Sequence, residues 1–146
     1  MVWGAFCAQG KSELVILEGT QDSERYIYSL SEHLLPYIDR IYGRGCIFQH
    51  DNASIYSSTA TKAFLDEENV TTMNEVPDIN PIANMWGALA RAVYADGRQF
   101  QSRDSLISTI KKCWEDMTLE YMTKPLNSMS KRCVSVLELY GAKTKY

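Results

Sequence analysis

The chain has 146 residues, 45% hydrophobic and 23% charged, with a formal net charge of −3. That is the composition of an ordinary globular protein, and one compact domain of this size buries roughly 70% of its unfolded surface. No run of about 18 apolar residues is present to cross a membrane. In chain order, Val2 to Cys7 is rich in strand formers, Ala8 to Lys11 reads as a turn, and Leu14 to Leu17 is a second strand, which predicts an N-terminal hairpin. Gly19 breaks the element. Asp22 is a candidate cap for a helix with Tyr26, Ile27, Leu30, Leu34, Tyr37 and Ile38 on one broad face, weakened or kinked at Pro36. Cys46 to Gln49 reads as a short buried strand. Ser57 or Ser58 starts a helix through Leu65 toward Glu68, and Val70 to Met73 is another strand. Asn80 can cap, and Pro81 can begin, a helix presenting Ile82, Met85, Trp86, Leu89 and Val93. Ser102 or Asp104 starts a further helix with Leu106, Ile110, Trp114 and Met117 inward. A last one covers about 126–140, with Met129, Cys133, Val136, Leu137 and Tyr140 inward and Gly141 as its C-cap. The predicted order is β-β-α-β-α-β-α-α-α, with no internal repeat and no interdomain linker.

The net charge hides an asymmetry. Residues 1–90 hold 5 basic and 12 acidic residues, a balance of −7, whereas residues 91–146 hold 10 basic and 6 acidic, a balance of +4. Lys111, Lys112, Lys131 and Arg132 form two adjacent basic pairs in that second part, which makes them the candidate phosphate-backbone contacts. An ordinary solvated helical surface is the reading that the sequence favours, with weak nucleic-acid contact as the alternative. Cys7, Cys46, Cys113 and Cys133 show no two-residue spacing, so they read as reduced apolar fillers in an intracellular compartment rather than as zinc ligands. The opening MVWGAFCAQGKSEL lacks a basic start and a long apolar core, so no secretory leader is expected.

The segment CIFQHDNASIYSS delivers Asp51 at the C-terminal end of a strand, where open α/β sheets place ligands. A second carboxylate at the start of the helix at Pro81, with a third nearby, would hold two divalent ions. Such ions activate water and stabilise the leaving oxygen in phosphoryl transfer. Position 83 in PDINPIANMW is alanine, however, and the next acids, Glu75 and Asp78, fall in the preceding loop. Asp51 by itself also reads as a strand-end side chain accepting backbone hydrogen bonds. His50 should point away from Asp51 in a regular strand, and His33 sits among core positions of the first helix. No glycine-rich phosphate loop, His-Glu-x-x-His or nucleophile elbow is found.

MVWGAF, ILEGT, HLLPYI, FQHDNA, PDINPIANMW, SMSKRCVSVLELYGA and the closing GAKTKY follow one another in the order of a known family. Across essentially its whole length the chain resembles the C-terminal part of the catalytic domain of mariner-superfamily DDE/D transposases. The resemblance implies an α/β, truncated ribonuclease H-like fold: a mixed sheet lacking the first central strand, with C-terminal helices. It also implies cut-and-paste DNA chemistry on Mg²⁺ or Mn²⁺ held by three acids. The second acid matches Asp51 and the third matches Ala83. The first belongs to a strand upstream of the VWG segment, and the family's helix-turn-helix domains lie further upstream still. Two further departures stand beside Ala83. Tyr56 matches a family histidine, with Ser54 and Ile55 in that same region. The 31 residues between Asp51 and Ala83 are also fewer than in the commonest family pattern.

One aspartate cannot clamp two mutually repelling Mg²⁺ ions, and alanine has no ligand atom. The expectation is a single transposase-like fragment over 1–146 without catalysis. It is read as a vestige or as a reused protein-interaction module, with no cofactor, or Mg²⁺ or Mn²⁺ on Asp51 as a residual site. Its expected partner is a protein or a second copy meeting an exposed sheet edge, with DNA a weaker partner and a nuclear location implied by the resemblance, the cytoplasm being the other compartment. The alternatives are a DNA-binding protein without catalysis, or a nuclease or strand transferase completed by a partner chain.

Overall fold

The structure, a computed structural model, describes residues 1–50, 53, 55, 57–73 and 79–139. They fall into two compact units, one of Met1 and residues 17–80, the other of residues 2–16 and 81–146.

In the first unit, Asp22 accepts from the Arg25 amide and caps α1 (Ser23–Ser29), as expected of an Asp before an apolar-periodic run. A π-helical stretch (Leu30–Leu34) follows, then α2 (Leu35–Ile41). Leu35 N–H donates to the Leu30 carbonyl, five residues back. Proline has no N–H and its ring crowds the carbonyl four residues earlier, so the wider turn ahead of Pro36 lets the helix run on. Tyr26, Leu30, Leu34, Leu35, Tyr37 and Ile38 form the buried face.

β5 (Ile47–Gln49) and β6 (Thr71–Met73) pair in parallel, with Phe48 opposite Thr72, and α3 (Thr59–Glu67) connects them. A parallel pair needs such a crossover because no tight turn can join two strands running the same way. Ser58 caps α3 through the Thr61 amide. Asn69, at φ +56°, ends it, and Val70 N–H closes onto the Leu65 carbonyl at 2.8 Å. This left-handed closure satisfies carbonyls that the acidic Asp66 and Glu67 side chains could not. β5 departs from the expected buried strand, because Ile47 is exposed.

In the second unit the predicted hairpin forms as two short ladders. β1 (Val2–Trp3) pairs with β4 (Val15–Ile16), and β2 (Phe6–Cys7) with β3 (Gly10–Lys11), both antiparallel. They are interrupted at Gly4, where an added Cβ would lie 3.1 Å from the Trp114 ring and 3.4 Å from Leu14. Ser12 bridges the interruption, its amide donating to the Ala5 carbonyl and its hydroxyl accepting from the Ala5 amide, each at 2.8 Å. Among the described residues the strands form three separate two-stranded sheets.

α4 (Ile82–Val93) and α5 (Arg103–Asp116) carry the faces that their periodicity predicts. Met85, Leu89, Val93, Trp114, Leu14 and Met122 make the core, with Ile82, Trp86, Leu106 and Ile110 packed against it. Each such aliphatic side chain contributes roughly 1.5–3 kcal/mol by leaving water. Trp86 stacks on Trp114 with ring centroids 5.4 Å apart. Pro81, at φ −71° and ψ −15°, already has helical angles ahead of Ile82.

Two corrections concern the C-terminal helices. α6 (Leu119–Asn127) was not anticipated, the last helix being expected only from about 126; Pro125 sits in its last turn, where its missing N–H costs one bond of a short helix. α7 (Met129–Glu138) does not turn the expected face inward: Cys133 and Leu137 are exposed, and Arg132 is the buried residue. Tyr140 and Gly141 lie outside the described residues.

Candidate functional site

The resemblance singles out two places, the tip of β5 in the first unit and the first turn of α4 in the second. At the tip of β5, His50 follows Gln49. Tyr26, from the buried face of α1, has its hydroxyl 3.2 Å from His50 Nδ1, and the Phe48 ring lies 5.1 Å from the imidazole. Gln49 Nε2 donates to the Ile79 carbonyl at 3.4 Å, tying the strand end to the segment before Asn80. Asp51, Ser54, Tyr56, Glu75 and Asp78 lie outside the described residues. His50 is packed and hydrogen-bonded; His33 is half-buried between the π-helical turns.

The second place is the first turn of α4. Ala83 is exposed there and presents a methyl group. The neighbouring oxygen is Asn84 Oδ1, which accepts from Arg132 Nη2 at 2.9 Å. Arg132 Nε donates to the Ser128 hydroxyl, also at 2.9 Å. A cation therefore already occupies the amide oxygen beside position 83. A divalent ion fits poorly here, since it would lack a carboxylate at 83 and would meet a guanidinium at 84. Among the described residues no three His, Cys, Asp or Glu side chains group to hold an ion.

The four candidate phosphate-binding residues separate. Lys111 and Lys112 are exposed on α5, and Lys131 is exposed on α7. Arg132 is 5% exposed and bonded to Asn84 and Ser128, so Lys131 and Arg132 do not form a surface pair. The physical reason is that a buried guanidinium needs fixed acceptors, and Asn84 and Ser128 supply them.

Sequence reading also missed Lys11. Its ammonium donates to the carbonyls of Trp114 (2.5 Å), Glu115 (3.0 Å) and Met117 (2.6 Å), at the end of α5. Burial pushes Lys11 below the ordinary lysine pKa, while nearby Asp116 and Glu115 pull the other way. The one signal available was a helix ending in two acids with no basic residue of its own in the last turn.

No family model matches the chain. It is 29% identical to the Tc3 transposase of Caenorhabditis elegans across its whole length, which is 45% of that protein. It is 26% identical to the Tc1 transposase of the same organism and spans 54% of it. The chain thus covers about half the length of the curated relatives it matches. Among solved structures, the Mos1 transposase catalytic domain with Raltegravir and Mg superposes with a TM-score of 0.78 at 21% identity, covering 99% of this chain and 75% of that one. The crystal structure of the Mos1 mariner catalytic domain gives 0.72 at 20% identity, covering 99% and 82%. Along its whole length the chain is thus similar in sequence to the Tc transposases, and it shares the ribonuclease H-like fold of the Mos1 catalytic domain, which together support a likeness to the C-terminal part of a mariner/Tc1 DDE transposase catalytic domain.

Proposed function

We propose that this transposase-related domain does not carry out metal-dependent strand transfer, and that it is a vestige of such an enzyme or one reused for protein contact. The supporting observation is the first turn of α4. The position that resembles the family's third acid is Ala83, and the adjacent Asn84 oxygen is held by the Arg132 guanidinium. Asp51 would remain as a lone acid. The Mos1 structures with Mg and with Mn make those ions the ones to test. The test is titration of the chain with Mn²⁺, together with incubation of a terminal-repeat duplex in Mg²⁺ or Mn²⁺. The expected result is neither saturable metal binding nor cleavage. Cleavage that Asp51→Ala abolishes would overturn the proposal and favour an enzyme completed by a partner chain.

The proposed partner is a protein or a second copy. Among the described residues each ladder has two strands, and a two-stranded ladder has outer edges that another chain can extend. A clean monomer in sedimentation at all concentrations would count against self-pairing. DNA is the second reading. It draws on the exposed Lys111, Lys112 and Lys131 and on Mos1 neighbours solved as a paired-end complex and a pre-cleavage transpososome. Three phosphate contacts would give a log–log salt slope of about −3. Salt-independent binding would exclude this reading, and a nuclear site of action goes with it.

A further inference from the structure

We propose that the hairpin tip is a strap over the end of α5, with Lys11 as its clasp, and that releasing the clasp widens the surface cavity beside Cys113. Beyond the question of catalysis, this assigns a conformational device to the second unit. The α5 terminus leaves carbonyls without intrahelical partners and carries Glu115 and Asp116 where the helix dipole is already negative. Lys11 spends all three ammonium protons on the carbonyls of Trp114, Glu115 and Met117. The lock is reciprocal, because Trp114 Nε1 donates back to the Ser12 carbonyl at 2.9 Å. Gly10, directly before the clasp, sits at φ +154°, a conformation that L side chains rarely adopt. The strap thus bends at one glycine and fastens at the next residue.

What the strap fastens is a cavity wall. A surface cavity of about 410 Å³ opens between α4, α5 and α6, with Ala88, Arg91, Ala92, Cys113, Met117 and Tyr121 among its lining residues. Met117 carries one of the clasped carbonyls, and Thr118, also in the wall, caps α6 through the Tyr121 amide. Lys11 therefore holds the corner from which α6 departs. Losing its donors frees that corner to move and exposes the Cys113 thiol, which is half-buried in the intact structure.

The experiment is peptide-resolved alkylation of the whole chain with N-ethylmaleimide, comparing wild type, Lys11→Met, Lys11→Arg and the remote Lys62→Met. Lys11→Met should speed Cys113 alkylation about tenfold and leave exposed Cys133 unchanged, and Lys11→Arg, which keeps several donors, should restore most of the protection. Unchanged Cys113 labelling in Lys11→Met overturns the proposal. So does an acceleration that comes with unfolding by tryptophan fluorescence, since the loss would then be global rather than a released strap.

Discussion

Replacing Arg132 with methionine tests whether a polar contact fixes α7 on α4. Arg132→Met keeps an unbranched apolar stem and removes the guanidinium, hence both 2.9 Å bonds, to Asn84 and Ser128. A hydrogen bond to a charged group contributes about 1.5–3 kcal/mol. Two effects reduce the loss. Methionine no longer has to bury a charge, and the Asn84 acceptor belongs to an exposed residue where water can replace the donor. The expected destabilisation is about 1–2 kcal/mol, a factor of roughly 5–30 in the folded-to-unfolded ratio. Trp3, Trp86 and Trp114 all lie in the unit that contains this contact, so urea melts followed by tryptophan fluorescence report on it directly. Asn84→Ala and the double variant complete the cycle, and a coupling near 1 kcal/mol is expected where independent sites add within about 0.5 kcal/mol. An Arg132→Met midpoint indistinguishable from wild type, or strict additivity with Asn84→Ala, would refute the claim that this bond anchors α7.

Three further outcomes follow from other contacts. Trp114→Phe leaves the Ser12 carbonyl without its indole donor and should cost about 1–3 kcal/mol in the same melts. Asp22→Ala removes the side-chain acceptor at the start of α1 and should cost about 1 kcal/mol, read as a lower midpoint by far-ultraviolet circular dichroism. Lys11 has a folded pKa below its ordinary 10.5, so between those two values the unfolded chain binds more protons and this group's contribution to stability rises with pH. The wild-type minus Lys11→Met difference in alkaline melts should show that rise, and a fall would contradict the burial that lowers the pKa.

Much of the architecture was legible because local rules and global packing agreed. Asp22, Ser58 and Ser102 each cap the helix they precede, and Met85, Leu89 and Val93 are buried at the spacing read from the chain. The reading failed where tertiary contacts override local preference. No helix is expected over residues 119–125, yet α6 forms there, with Pro125 tolerated in its final turn. On α7 the apolar periodicity pointed to Cys133 and Leu137, but the helix is turned so that Arg132 reaches Asn84.

The sequence by itself determined that position 83 carries no carboxylate, since a missing ligand atom is a matter of covalent identity and no packing can supply it. Only the tertiary structure decided that Arg132 is an interior anchor rather than a surface cation, and that Lys11 closes α5. Those roles depend on which acceptors come within 3 Å of a charged donor, and residues 48 and more than 100 positions apart meet only after the chain has folded.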